Sequence, residues 1–329
     1  MTSRTRRSAL ALPAAALAAV FAAALVSPPA AAQPAVQDPP ASAAAQPAAP
    51  AAGDAAATAD PTPANAATRE LLSLVHDAAA LVAAEGVEGA CADFRTPGSR
   101  WLHDETYVFV IDTQGEALCH PGQPALEGRS LLELHDPHGK PIVASFLREL
   151  ENDKDGWVHY LWPRPGRDTT FYWKSSFVEK TPTPGGATVL VGSGVYGLPM
   201  ERLFVVEQVD DAVELLAAQG EAAFATLRDR SSGFRFYDSY VFVMSPEGVQ
   251  VVNAGFPDVE GQNLLDLADE DGTVIGREIL ALLADREAGW VDYKWPRPGD
   301  EKAVGKSTYV RRVTLPDGRE LIVGAGIYD

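Results

Sequence analysis

Gly156-Trp157-Val158-His159-Tyr160-Leu161-Trp162-Pro163-Arg164-Pro165-Gly166 is answered 133 residues later by Gly289-Trp290-Val291-Asp292-Tyr293-Lys294-Trp295-Pro296-Arg297-Pro298-Gly299. At the same offset Tyr107-Val108-Phe109-Val110 returns as Tyr240-Val241-Phe242-Val243, and Gly128-Arg129-Ser130-Leu131-Leu132 as Gly261-Gln262-Asn263-Leu264-Leu265. Lys174-Ser175-Ser176-Phe177-Val178 then matches Lys306-Ser307-Thr308-Tyr309-Val310, and Val191-Gly192-Ser193-Gly194-Val195-Tyr196 matches Val323-Gly324-Ala325-Gly326-Ile327-Tyr328. These last pairs lie 132 apart, so one residue was lost in a loop. Solenoid repeats run to about 20–50 residues, so this period marks a duplicated domain. Where the copies agree, the fold needs the residue. Where they differ, one copy has been released from the requirement.

The chain before the first copy reads differently. Arg4, Arg6 and Arg7 precede a charge-free Ala/Leu/Val run from Ser8 to Val26, and Ala30-Ala31-Ala32 offers the small residues a signal peptidase accepts. Residues 1–32 are therefore expected to be a secretory signal peptide. Arg6-Arg7 before Ser8-Ala9-Leu10 fits an ordinary basic start or a twin-arginine signal. An uncleaved membrane anchor is the rival reading, since the run is nearly long enough to span. Residues 33–64 are Ala, Pro, Gln, Thr and Gly, too poor in large apolar side chains to offset their ordering entropy. They are expected to form a disordered tether. Two domains remain, 65–200 and 201–329, each large enough for its own core. The formal net charge is -18, and cleavage removes three arginines. So acidic a chain has no general attraction for nucleic acid or anionic lipid. A periplasmic or secreted location is expected.

Each copy is expected to open with a helix. Leu71, Leu74, Val75, Ala78, Leu81 and Val82 recur at helical spacing, as do Leu203, Val206, Val209, Val213, Leu216 and Ala217. Tyr107–Asp112 pairs naturally with Glu116–Cys119 across Thr113-Gln114-Gly115, and Tyr240–Ser245 with Val249–Asn253. A second helix follows at Pro141–Leu150 and Val274–Leu283. Three strands close the unit, in the first copy Gly156–Trp162, Phe171–Glu179 and Thr188–Tyr196. Helix, hairpin, helix and meander make an α+β fold in which a curved antiparallel sheet carries helices.

The ordered set of motifs resembles the single Cache domain, type 2, over nearly all of residues 68–200 and again over 205–329. The motifs are Tyr-Val-Phe-Val, Gly-x-x-Leu-Leu, the Asp-Gly turn, Gly-Trp-Val-x-Tyr-x-Trp-Pro-x-Pro, Lys-Ser-x-[Phe/Tyr]-Val and Val-Gly-x-Gly-[Val/Ile]-Tyr. The resemblance implies two tandem PAS-like extracellular sensor modules that bind small ligands, commonly short organic acids, without enzymatic activity. Such modules usually sit on chemoreceptors and histidine kinases. The sequence runs to Asp329 with no membrane helix, coiled coil or kinase after the second copy. The implied output therefore passes through a partner, a membrane receptor or sensor kinase.

Alternate side chains of a strand share a face. The copies agree on Val158, Tyr160 and Trp162 and on Val291, Tyr293 and Trp295, and differ opposite them except at the Trp. The shared face is the inward one, and Tyr and Trp suit a small pocket with apolar walls and hydrogen-bond donors. The next strand supplies Lys174 and Lys306, natural partners of a carboxylate. Tyr309 is one face away from Lys306 by strict alternation and joins the pocket only at a bend. Phe177 replaces it in the first copy. Tyr107 and Tyr240 add phenols. The plain alternative is that the aromatics are core and both lysines face solvent.

Cys91 and Cys119 are the only cysteines; Phe224 and Val252 stand in their places in the second copy. Both positions read as core. A disulfide and two separately buried thiols both stay open, because the Cα separation decides. Asp269, Asp271, Gly272 and Glu278 fall on EF-hand positions, but Leu267 holds the first, so an Asp-Gly turn is expected instead. His135, His138 and His120 read as loop histidines rather than a metal site. Neither a catalytic triad, a phosphate loop nor a dinucleotide fingerprint occurs, so no cofactor is expected. Two functions fit: a binding protein for a small carboxylate, or an interaction scaffold with vestigial pockets. A hydrolase lacks its nucleophile-base pair.

Overall fold

The computed structural model describes residues 62–166 and 170–329. The expected signal peptide and all but the last residues of the tether lie outside the described residues. Among the described residues no helix is long and apolar enough to cross a membrane.

Each copy opens with a helix broken by a glycine. α1 (Ala66–Phe94) starts at Asn65, whose side chain accepts from Ala67 N at 2.8 Å. It is interrupted at Gly86, where φ is 77°, a conformation that costs glycine little. α3 (Arg202–Gln219) stops at Gly220 (φ 61°), and α4 (Ala223–Arg228) resumes. The long apolar periodicity thus became two helices in the second copy, because Gly220 takes a φ that no other residue adopts cheaply.

The first copy continues with β1 (Leu102–His103), β2 (Thr106–Tyr107), β3 (Phe109–Asp112), β4 (Ala117–Cys119), α2 (Ile142–Glu149), β5 (Asp155–Pro163), β6 (Phe171–Pro182) and β7 (Thr188–Tyr196). The second adds β8 (Arg235–Phe236), β9 (Ser239–Tyr240), β10 (Phe242–Met244), β11 (Gln250–Asn253), α5 (Ile275–Leu282), β12 (Ala288–Pro296), β13 (Ala303–Thr314) and β14 (Glu320–Tyr328). The five-stranded antiparallel sheets have the orders β4-β3-β7-β6-β5 and β11-β10-β14-β13-β12. The single strand expected from Tyr107 is split. Tyr107 ends a short ribbon with β1, and the main sheet begins at Phe109. The ribbon turns at Asp104 (φ 49°), mirrored at Tyr237 (φ 50°) in the second copy.

Each sheet has two cores. In the first copy α1 packs Ala78, Val82 and Phe94 on the outer face, against Val108, Val110 and Val191. α2 packs Ile142, Val143 and Phe146 on the inner face, against Phe109, Val158 and Tyr160. Cys91 in α1 and Cys119 in β4 form a disulfide with Cα atoms 6.1 Å apart, which ties helix to sheet in this copy alone. The copies meet through a shared cluster: Leu71, Val75, Trp157 and Phe177 from the first, Phe204 and Phe236 from the second. Glu201, at the head of α3, accepts from Ala64 N, Asn65 N and Thr68 Oγ1, so the start of α1 is pinned to the start of α3.

Candidate functional site

The register of the meander builds the site. Tyr160 pairs with Lys174 across β5–β6, and Lys174 with Tyr196 across β6–β7. Tyr293, Lys306 and Tyr328 repeat the row across β12, β13 and β14. Each row lies on the inner face, the side the repeated Val/Tyr/Trp alternation indicates. Lys174 Nζ donates to Tyr107 Oη at 2.7 Å and Lys306 Nζ to Tyr240 Oη at 2.9 Å. Tyr160 Oη bonds Ser176 Oγ at 2.9 Å, and Thr308 Oγ1 donates to Tyr293 Oη at 3.0 Å.

Small residues make the space. A methyl group at Gly194 would stand 2.6 Å from Lys174 Cε, and one at Gly326 would overlap Lys306 Cε as well. The second glycine of Val-Gly-x-Gly-[Val/Ile]-Tyr is therefore the bed of the lysine stem. Gly122 and Gly255 do the same for the Tyr107 and Tyr240 rings, which a methyl group would meet at 2.5 Å.

Both lysines are buried, Lys174 0 % and Lys306 2 % exposed. Neither forms an ion pair with a carboxylate among the described residues. Burial lowers each ammonium to about 7, for Lys174 with no opposing cause and for Lys306 against a weak pull from Asp238. Trp162 Nε1 and Trp295 Nε1 are buried without a hydrogen-bond partner, although each indole lies near enough to Tyr107 or Tyr240 to favour the phenolate slightly. Burial raises both of those phenols well above the ordinary tyrosine value. Each site is thus one-sided: an ammonium, an indole N–H and phenols, with no anion supplied. A buried charge without a partner is costly, and an unmade buried hydrogen bond adds to the cost. An anion with two acceptor atoms relieves both.

Two residues of the row, Tyr196 and Tyr328, escaped the sequence reading. Tyr196 Oη donates to Pro163 O at 2.9 Å and Tyr328 Oη to Pro296 O at 2.7 Å. With its hydrogen used there, Tyr328 accepts from Tyr240 at 3.3 Å, giving a directed chain Lys306, Tyr240, Tyr328, Pro296. Their signal was present: both copies end β7 and β14 on Tyr, and a meander sets that end against the lysine. The repeated Arg of Pro-Arg-Pro closes the rim. Arg164 lies 5.3 Å over Tyr196 and pairs with Glu105 at 3.0 Å; Arg297 lies 5.4 Å over Tyr328 and pairs with Asp238 at 3.0 Å.

Tyr309 lies elsewhere. It packs in the outer core beside Trp290, 5.3 Å between ring centres, on the face opposite Lys306. No bend brings it round, because β13 stays in register with both neighbours through this point.

The copies differ in what fills the inner face. In the first, a cavity of about 20 Å³ is lined by Tyr107, Tyr160, Trp162, His120, Phe109 and Phe146, among others. That is room for about one water. Burial, reinforced by the Lys174 charge, lowers His120 to about 4 and keeps it neutral. Asn253 replaces it in the second copy, and Gly276 replaces Val143. The Asp-Gly turns are structural. Asp136 accepts from the backbone N–H of His138, Lys140 and Leu161, and Asp269 from Asp271, Thr273 and Lys294. His120 lies in the cavity, whereas His135 is held by Glu133 O at 2.7 Å and His138 sits against Trp173. The three do not converge.

Residues 97–197 and 219–328, more than half of the chain, match the profile of the Cache domain (dCache_2), and the chain belongs to this family. Over 92 residues it is 30% identical to the methyl-accepting chemotaxis protein McpP of Pseudomonas putida, which covers 28% of this chain and 16% of that one. Over 91 residues it is 34% identical to the sensor histidine kinase MctS of Rhizobium johnstonii, covering 28% and 19%. The chain spans less than a fifth of the length of either curated relative. A solved structure described as the basis for carboxylic acid recognition by a Cache chemosensory domain is 27% identical, covers 38% of this chain and 90% of its own, and has a TM-score of 0.33. A periplasmic sensor domain of a chemotaxis protein is 31% identical over 40% of this chain and 91% of its own, with a TM-score of 0.32. Cache domains of this type are extracellular or periplasmic sensor modules that bind ligands without catalysing a reaction.

Proposed function

We propose that this Cache protein is exported and senses a short organic acid on the inner face of its sheets. The carboxylate pairs with Lys306, and in the first copy with Lys174. Trp295, or Trp162 in the first copy, supplies a hydrogen bond, Tyr240 or Tyr107 holds the lysine in place, and Tyr293 or Tyr160 closes the wall. One observation carries the reading: both copies bury an ammonium that pairs with no carboxylate among the described residues, in a wall of phenols and an indole. Two copies that have diverged elsewhere both keep this buried lysine without a carboxylate beside it, as an anion from outside would require.

Tyr309 stays outside this site. The ligand reaches the first-copy cavity only by displacing the segment between β4 and α2, since a two-carbon acid exceeds one water in volume. The bound state is passed to a membrane partner, a receptor or sensor kinase of the sort the curated relatives represent. A second reading applies to the first copy alone: its small cavity, filled beside His120, favours a pocket kept for packing.

Thermal shift and calorimetry against acetate, propionate, lactate, pyruvate and amino acids test the proposal. A ligand that binds the native state raises the melting temperature. A flat response to every acid in the panel sinks it and leaves the interaction scaffold.

A further inference from the structure

The lysine rows of the two copies are alike, but the ring that leans on each is not. In the first copy the ring against Tyr107 is the imidazole of His120, 5.0 Å between centres. Asn253 stands at that place in the second copy and has no ring. The ring against Tyr240 is instead Phe256, 5.5 Å away and edge-on, and the same phenyl stands edge-on to Trp295 at 5.9 Å. Phe256 takes the place that Gln123 holds in the first copy.

A shared turn explains how the ring could move. His120 Nδ1 accepts from Gln123 N at 3.0 Å, and Asn253 Oδ1 accepts from Phe256 N at 2.8 Å and from Gly255 N at 3.2 Å. Either side chain caps the same turn, so the loop survives the exchange. What is left over differs. With Nδ1 accepting, a neutral His120 carries its hydrogen on Nε2, a donor on a ring that lines the first cavity. Asn253 turns its amide back into the loop, where Nδ2 donates to Gln250 Oε1 at 3.1 Å. The second copy has thus exchanged a polar ring for a phenyl.

Phe256 is the outer ring of the second enclosure. It is half-buried, whereas Tyr240 and Lys306 are 1 % and 2 % exposed. Lys306 Nζ lies 4.0 Å from the centre of the same Tyr240 ring that Phe256 touches. An acid held by its carboxylate on Lys306 therefore carries its C2 and C3 among these rings. The phenols there already have partners: Tyr240 in Lys306 and Tyr328, Tyr293 in Thr308, Tyr328 in Pro296 O. Trp295 Nε1 serves the carboxylate. Methyl and methylene groups suit such a wall, whereas a hydroxyl or oxo oxygen buried against it gives up water for no partner.

We infer that Phe256 is the specificity-determining residue of the second site and makes it a site for short alkanoic acids in preference to their 2-hydroxy and 2-oxo relatives. The inference rests on the carboxylate reading above and goes beyond it in naming the class of acid. The first site, with an imidazole where the second has a phenyl, does not share the preference.

Calorimetric titration of the full chain with propionate, lactate and pyruvate tests this, with Lys174→Met silencing the first copy. These acids share one carbon frame, and an apolar wall disfavours an added hydroxyl by about tenfold to a hundredfold, so propionate should bind at least about tenfold more tightly than either of the others. Phe256→Gln should bring that ratio near unity. Phe256→Leu should keep it, since the wall stays apolar. The complementary chain, Lys306→Met, should show no such preference. Each result is a ratio of two ligands on one sample, which loss of folded protein leaves unchanged. A ratio near unity before substitution at Phe256, a ratio that Phe256→Gln leaves unmoved, or acid binding that vanishes with Lys174→Met would overturn the inference while acid binding by the chain still stands. If no acid binds the unsubstituted chain, the carboxylate reading falls first and this one with it.

Discussion

The inner face and the α2 edge of the sheet have had opposite histories since duplication. On the inner face the copies are nearly superposable: Tyr160, Lys174 and Tyr196 against Tyr293, Lys306 and Tyr328, with the same orphaned indole. On the α2 edge they share little. The first copy has Glu149 and His159 under α3; the second has Leu282 and Asp292 beside an open groove. A copy that keeps its lysine row is under a common demand. A copy whose edge changes has been fitted to its neighbour. The lesson is that duplication left the lysine row twofold and made the junction unique.

The largest test of that asymmetry is covalent. Cys91→Ser with Cys119→Ser should lower stability by about 3–4 kcal/mol for a loop of this length, and amide exchange should show the loss confined to the first copy. Equal loss across both copies would mean that they unfold as one unit. The lysine row comes next. Lys306→Met should weaken the bound acid about a hundredfold, roughly 2.7 kcal/mol, while Lys174→Met does as much only if the first cavity opens to ligand. Equal effects would restore the symmetry of the inner faces, and no effect of Lys306→Met would remove that residue from the site.

The glycine beds probe the same row through packing. Gly194→Ala and Gly326→Ala force a methyl group into the lysine stem and should each cost about 1–3 kcal/mol, read as a lowered denaturation midpoint, and reduce acid binding as well. A neutral Gly326→Ala would show that the stem has slack.

The smallest effect is in pH. An acid ligand needs the ammonium form of a lysine whose empty-site value is about 7. Its affinity should be level below pH 7 and fall by up to tenfold, about 1.4 kcal/mol, per unit above it. Binding then takes up a proton. Without ligand the linkage runs the other way. The unfolded lysine holds its proton to higher pH than the folded one, so this group makes stability rise between pH 7 and the ordinary lysine value. Melting curves across that range with and without ligand should converge as pH rises. Affinity that rises with pH would place the acid elsewhere.

Much of this was legible in the residues. Repetition named the inward face, because only a buried face holds Val, Tyr and Trp through divergence. It located Lys174 and Lys306 in the adjoining strand. Tyr309 was already suspect by alternation, and the unbroken register of β13 keeps it on the outer face. Tyr196 and Tyr328 were overlooked because a strand-end tyrosine in one strand says nothing of its cross-strand neighbour until the register is known.

The sequence by itself determined the duplication, the α+β order of each copy, the inward aromatic face and the lysine that anchors it, since these follow from strand periodicity and from agreement between copies. Only the tertiary structure decided that Cys91 meets Cys119, that neither lysine pairs with a carboxylate among the described residues, and that one sheet edge is roofed by the next copy's helix. Those depend on distances between elements, and no local pattern of side chains encodes a distance across the core.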